Sequence, residues 1–158
     1  STHSAANGLF KSVPYDPIKD FTPIARIGSF PSFVAVHPSL PINSMQELVA
    51  YAKANPGKLS YGVGNSTGQI TGETIKKRTG IEVVRVNYRS NPAALTDLVA
   101  GHIQMMIPDY NTGLAQVKAK TIRPLAVLTK DYMTAPIEEI SGIESMLTMV
   151  GGKIVYKK

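Results

Sequence analysis

The chain has 158 residues, 43% of them hydrophobic, and carries a formal net charge of +6. This length predicts one domain, or one domain with an appendage, and the hydrophobic fraction is enough for a packed core. The absence of cysteine excludes disulfides and thiolate metal sites. No apolar run is long enough for a bilayer, and the polar N-terminus lacks the pattern of a signal peptide. The basic residues are scattered and do not alternate with aromatics, which argues against nucleic-acid binding.

The first third of the chain reads as extended segments followed by one helix. Residues 1–21 are rich in turn formers, and residues 22–27 and 32–37 are predicted strands. Ser44 and Glu47 have the spacing of a capping box, so a helix is expected to begin there and to end at 55–57. The helical period predicts that this helix turns its apolar side chains to the core: Met45, Leu48, Val49 and Ala52.

The stretch LSYGVGNSTGQITG, residues 59–72, is the centre of the sequence. It predicts a strand at 59–63, a loop of small polar residues, and a helix that runs through Thr79 and stops at Gly80. The loop's glycines permit close approach of a ligand, and Asn65, Ser66 and Thr67 are suitable N-cap residues. Free N–H groups at such a helix start suit an anion, and the loop lacks both common phosphate-binding patterns. A carboxylate site is therefore one interpretation, and an ordinary strand–helix connection is the other.

The second half continues the alternation of strands and helices. Strands are predicted at 81–86, 103–107 and 122–128, with a helix capped by Asn91 and a short helix at 113–119. This order predicts an α/β three-layer lobe with a mostly parallel sheet. The loops expected at the carboxyl ends of its strands, where such sheets bind ligands, are 64–68, 87–91 and 108–112.

The last thirty residues have a different character. Residues 145–150 and 153–157 flank Gly151-Gly152, which predicts a β-hairpin with a two-residue turn. Because this hairpin and the N-terminal strands lack evident partners, they are expected to pair across a two-fold axis in a homodimer. The alternative is a small patchwork sheet within one chain.

Several phrases of the sequence resemble one receptor family. VPYDPIKDFTPIARIG, VHPSLPINSMQELVAYAKANPGKLSYG, TDLVAGHIQMM and IRPLAVL, within about residues 7–128, resemble the Bug family of substrate-binding receptors of tripartite tricarboxylate transporters. The resemblance implies a lobe of a type II periplasmic binding protein that binds small carboxylates or amino acids and delivers them to membrane permease subunits. It implies no enzyme activity, no cofactor and no metal, and a periplasmic location.

The resemblance also implies which residues bind the ligand. The loop and helix start resemble the family's carboxylate-gripping loop, with Gln69 where a His is common, and residues 87–90 resemble its Pro-Tyr-Lys-Gly turn. Asp109 resembles an acidic residue that helps select the other end of the ligand. The implied ligand-binding residues are Gly64, Asn65, Ser66, Thr67, Gly68, Gln69, Tyr88, Arg89, Ser90 and Asp109.

By this resemblance the chain covers part of a receptor. Residues 1–37 are expected to be a first-lobe segment, 38–128 a ligand-binding lobe and 129–158 an appended tail. The tail, DYMTAPIEEISGIESMLTMVGGKIVY, resembles the C-terminal segment of a metal-dependent amidohydrolase, with a seam at about 125–130. A fusion remnant that binds nothing is thus a second hypothesis, and a hydrolase a third, since residues 64–68 spell Gly-x-Ser-x-Gly between a strand and a helix. The histidines, at 3, 37 and 102, lack metal-ligand spacing.

Overall fold

A computed structural model describes residues 6–17, 19–22, 24, 31–128, 147–150 and 153–157. Its helices are α1 (Ala6–Leu9), α2 (Met45–Ala54), α3 (Ser66–Thr79), α4 (Asn91–Val99) and α5 (Tyr110–Lys118). Its strands are β1 (Ser32–Val36), β2 (Leu59–Val63), β3 (Val83–Asn87), β4 (Met105–Met106), β5 (Arg123–Leu128), β6 (Leu147–Val150) and β7 (Lys153–Lys157).

Five strands form one sheet in the order β3-β2-β4-β1-β5. Strand β2 pairs in parallel with both β3 and β4, whereas β1 pairs antiparallel with both β4 and β5. Four strands therefore run in one direction, and β1 alone runs in the other. The predicted α/β class is confirmed, and the sheet is mixed because β1 lies inside it.

The position of β1 differs from the expectation that the strand at 32–37 lacks partners within the lobe and pairs across a two-fold axis or with the tail hairpin, since β1 pairs with β4 and β5. All five residues of β1 are buried, which is the pattern of a strand covered on both faces. Such a strand is stable in the interior of the sheet, between β4 and β5, and not beside a surface segment. Most of the predicted strand at 22–27 lies outside the described residues. The proposed domain boundary between residues 37 and 38 stays a prediction.

Helices cover both faces of the sheet, which gives the three layers that the sequence predicts. Leu48 and Ala52 of α2 pack on one face against a cluster that includes Tyr61, Met105 and Leu125. The other face packs against α4 through a second cluster of buried side chains: Phe33, Ala35, Ala94, Leu95, Leu98, Ile103, Met106 and Ile122. Met45 and Val49, also predicted to face the core, are partly buried against the first cluster.

The helix ends show which local signals are decisive. Ser44 Oγ accepts a hydrogen bond from the Glu47 N–H at 3.1 Å, as the capping box predicts. The Glu47 carboxylate, however, accepts from the N–H of Asn43 at 2.7 Å and not from that of Ser44. Helix α3 has its N-cap at Asn65 and ends at Gly80, whose φ of 69° favours glycine.

Several predicted boundaries were wrong, among them that of β3, predicted at 81–86 and observed at Val83–Asn87. Ser90, not Asn91, is the N-cap of α4, since Asn91 is the first helical residue. Helix α5 begins at Tyr110, three residues before the predicted start, and strand β4 is only Met105–Met106. Short apolar runs do not define their own ends, so these boundaries depend on packing.

The two strands of the tail, β6 and β7, pair antiparallel, which confirms the predicted hairpin pairing. Its predicted two-residue turn at 151–152 lies outside the described residues. In the part of the chain that the structure describes, no helix is both long enough and apolar enough to cross a membrane.

Candidate functional site

The three loops predicted to bind a ligand meet at one edge of the sheet. Strands β3, β2 and β4 are neighbours and run in the same direction, so their carboxyl ends lie side by side. The residues that follow them begin α4, α3 and α5 respectively. Strand β1 runs the other way, so its first residue, Ser32, lies at the same edge and forms a bridge with Asp109. Ligands of parallel sheets ordinarily bind at such a carboxyl edge, so this edge is the candidate site.

Gly64 holds two of these loops in direct contact. A Cβ built on Gly64 would lie 2.3 Å from both the backbone nitrogen of Asn91 and the carbonyl carbon of Ser90. Backbone atoms cannot rotate away as a side chain can, so any residue other than glycine would separate the loops. The loop after β2 and the loop after β3 therefore form one surface.

Asn65 caps α3 and accepts hydrogen bonds from two of the backbone N–H groups that were expected to be free to bind an anion. Its Oδ1 accepts from the Gly68 N–H at 2.8 Å, and its backbone carbonyl accepts from the Gln69 N–H at 3.2 Å. The expectation of free N–H groups is thus wrong for Gly68 and Gln69. Ser66 and Thr67 are the first two residues of the helix and are half-buried, so they lie at the positive end of the helix dipole.

Asp109 accepts hydrogen bonds from three different elements. Its Oδ2 accepts from Asn91 Nδ2 at 2.6 Å and from Asn65 Nδ2 at 3.2 Å. Its Oδ1 accepts from the Ser32 hydroxyl at 3.4 Å. Asn91, which is 7% exposed, is the functional-site neighbour that sequence reasoning missed, because beside Pro92 it reads as an N-cap.

The turn after β3 contributes residues with different surroundings. The Tyr88 hydroxyl donates to Asp97 Oδ2 at 2.7 Å, so it turns towards α4. Burial, followed by the hydrogen bond and charge of Asp97, raises the pKa of Tyr88 to about 12. The same bond, with one from His102, lowers the pKa of Asp97. Arg89 is exposed, and Ser90 is half-buried with no side-chain capping bond to α4.

Both described histidines lie at the opposite edge of the sheet. His37 follows the carboxyl end of the antiparallel strand β1, and His102 precedes β4, so neither is at the edge that carries Ser66. His37 Nδ1 is 2.7 Å from Ser39 Oγ, and His102 Nδ1 is 3.3 Å from Asp97 Oδ1. Within the described ranges, no group of three or more His, Cys, Asp or Glu residues has the arrangement of a metal site.

A family model described as the tripartite tricarboxylate transporter family receptor, TctC, matches residues 1–148. The chain belongs to this family. Protein BugT of Bordetella pertussis is 27% identical over 80% of this chain. The UPF0065 protein in the tcbD-tcbE intergenic region of Pseudomonas sp. strain P51 is 32% identical over 78% of it. The family match continues past the predicted seam at 125–130, which weighs against a foreign tail.

Solved structures agree with this family assignment. The R. palustris protein Rpa4515, solved with adipate, is 31% identical, covers 99% of this chain and has a TM-score of 0.74. The periplasmic binding protein BugD, at 22% identity and a TM-score of 0.75 over 90% of this chain, shows the fold alone. The chain spans 39% and 37% of the two relatives named above and 52% of the Rpa4515 chain. It thus corresponds to about half or less of these proteins.

Proposed function

We propose that this chain is the ligand-binding lobe of a solute receptor of the tripartite tricarboxylate transporter type, and that it binds a small carboxylate or amino acid. The observation that carries the proposal is the meeting of three polar loops at the carboxyl edge of β3, β2 and β4, at the start of α3. Adipate in the related Rpa4515 protein supports a carboxylate as the ligand class. A basic chain of net charge +6 also favours an anion.

The residues that family resemblance implies as ligand-binding offer different chemical groups to an anion. Ser66 and Thr67 offer hydroxyl groups at the helix start, and Arg89 offers an exposed guanidinium at the neighbouring loop. Tyr88 and Asp109, which family resemblance also implies, share hydrogen bonds with protein groups, and we do not place them among the direct contacts. The rest of the proposed set lines the same edge: Gly64, Asn65, Gly68, Gln69 and Ser90. Because Ser66 and Thr67 lie at the positive end of the α3 dipole and Arg89 carries a positive charge, we propose that these three residues make the main contacts with the ligand carboxylate.

A thermal-shift screen of dicarboxylates and amino acids, followed by calorimetry on the hits, tests this function. We expect Thr67→Ala to weaken binding of adipate, because it removes a hydroxyl at the helix start. Thr79→Ala is the matched control, since Thr79 lies at the other end of α3 and donates to the carbonyl of Ile75 at 2.7 Å. No stabilisation of the wild-type chain by any ligand would favour the second hypothesis, a folded module that binds nothing.

The hydrolase hypothesis is disfavoured by the position of the described histidines. A serine nucleophile needs a general base within hydrogen-bond reach, and both His37 and His102 belong to the opposite edge of the sheet from Ser66. Ser66→Ala should therefore leave any weak esterase signal unchanged. We propose that the chain is not an enzyme and that binding at the carboxyl edge uses no cofactor.

The wider setting of the receptor is also proposed by relation to the family. We propose membrane permease subunits as partners, a periplasmic location and a homodimer. The homodimer is supported by β3, which pairs only with β2 and so leaves one edge of the sheet unpaired within the described residues. A truncated receptor and an amidohydrolase-like tail remain hypotheses.

A further inference from the structure

We propose that Asp109 is a positioning residue: its carboxylate locks the three loops of the carboxyl edge together and so strengthens binding of every ligand equally, without contacting the ligand. The proposal rests on the proposed function, since it assigns a role within the same site. It differs from the role that family resemblance implies for Asp109, which is selection of the other end of the ligand.

The first support is what the Asp109 side chain does not do. Asp109 is the N-cap of α5, a position where an aspartate carboxylate ordinarily accepts from the first N–H groups of its own helix. Here it makes no such capping bond. The N–H groups of Thr112 and Gly113 bond to the backbone carbonyl of Asp109, each at 3.0 Å. The carboxylate is thus directed away from its own helix and towards the neighbouring loops.

The second support is the origin of its three donors. Asn65 caps α3, Asn91 begins α4, and Ser32 begins β1, so the bonds join elements that are distant in sequence. A carboxylate has about four lone-pair positions, and three are occupied here. The donor at 2.6 Å, from Asn91, has the short length of a charge-assisted hydrogen bond. A ligand carboxylate placed beside Asp109 would be repelled by it.

The third support is the orientation that Asp109 imposes on two amides. Both Asn65 and Asn91 turn their NH2 groups to the carboxylate, so their oxygens point away from it. This orientation lets Asn65 Oδ1 accept from the Gly68 N–H and hold the first turn of α3. Among the described residues, the buried Oδ1 of Asn91 has no hydrogen-bond partner. The orientation of the Asn91 amide thus depends on Asp109, because nothing on the oxygen side holds it.

Asp109→Asn tests the proposal, because it preserves shape and removes the charge that both amides face. Glu82→Gln is the matched control: it makes the same change of charge at an exposed residue that immediately precedes β3, at the other edge of the sheet. The first readout is amide hydrogen exchange in the ligand-free protein. We expect the Gly68 amide to exchange about tenfold faster in Asp109→Asn, because a charge-assisted bond that orients its cap is lost. The Gly80 amide, bonded to Lys76 at 2.9 Å, should not change.

The second readout is the affinity for adipate and for hexanoate, which lacks one of the two carboxylates, measured by NMR titration. Positioning predicts that Asp109→Asn weakens both ligands by the same factor, about tenfold, so that their ratio is unchanged. A change in that ratio of more than about threefold would overturn the proposal, since it would mean that the carboxylate acts on one end of the ligand. An unchanged Gly68 exchange rate would overturn it as well.

Two further outcomes separate the proposed function from the proposed role of Asp109. If the wild-type chain binds neither ligand, the proposed function fails, whereas the exchange readout still decides whether Asp109 positions the loops. If Asp109→Asn does not fold, Asn91→Ala can be used in its place, because it removes the donor of the shortest of the three hydrogen bonds to Asp109. It should also speed exchange at Gly68, because Asp109 would then hold Asn65 less firmly, and an unchanged rate would count against the proposal.

Discussion

Gly64→Ala should destabilise the protein markedly, although it adds a single methyl group. The new Cβ would lie 2.3 Å from backbone atoms of Ser90 and Asn91, whereas ordinary contact begins near 3.4 Å. The two loops must therefore separate by about 1 Å. Overpacking of this kind costs about 1–3 kcal/mol, and the upper end applies here because backbone must move. For a chain of this size, we expect the melting temperature to fall by roughly 5–10 °C.

Thermal and urea unfolding followed by circular dichroism measure this effect. Gly8→Ala is the control, since a Cβ at Gly8 meets nothing within 4 Å. It lies in helix α1, where alanine is slightly favoured over glycine. A free energy of unfolding of Gly64→Ala within about 0.5 kcal/mol of the wild-type value would be that of an ordinary surface substitution. It would mean that the loops after β2 and β3 are not in contact as described.

Three other predictions concern the frame around the site. Arg123 donates to the carbonyls of residues 38, 40 and 42 at 2.7–3.1 Å. A lysine has one ammonium group in place of the planar guanidinium with its several donors, so Arg123→Lys should lower the free energy of unfolding by about 2 kcal/mol, as measured by urea unfolding. Tyr61→Phe removes a 2.6 Å bond to Glu73 and should cost about 1–2 kcal/mol at pH 7. That bond is the main cause of the lowered pKa of Glu73 in the folded protein. The stability that it contributes is therefore fully present above the pKa of Glu73 in the unfolded chain, about 4.3, and is lost as the pH falls through the lower pKa of the folded state. The cost of Tyr61→Phe should thus shrink at pH 3, and an equal cost at both pH values would contradict the linkage. Light scattering should give twice the chain mass, and deletion of residues 145–158 should give a monomer or a less soluble protein; a monodisperse intact monomer would refute the dimer.

Much of the fold could be predicted because its signals are local. The alternation of strands and helices requires parallel neighbours, and this alone brings the loops after β2, β3 and β4 to one edge. Asn65 as a cap and Gly80 as a stop are also local, since each depends on the conformation of one or two residues. These signals were enough to predict that the three loops lie at one edge of the sheet.

What could not be predicted depends on contacts between distant segments. Strand β1 lies antiparallel between β4 and β5. The sequence of residues 32–36 does not indicate which strands will lie beside it. Asn91 reads as a helix cap, and its bond to Asp109 exists only because two loops meet. The N–H groups of Gly68 and Gln69 looked available because the sequence does not show that Asn65 bonds to both.

The central claim is that a small carboxylate binds at the carboxyl edge of the sheet, and an NMR titration of the 158-residue chain with adipate tests it most directly. We expect saturable shifts concentrated at residues 64–69 and 88–91. The midpoint should be millimolar, about −4 to −5 kcal/mol, because one lobe supplies only part of the contacts and no closure. Shifts confined to the opposite edge, around His37 and His102, or no saturable shift at any residue, would contradict the claim.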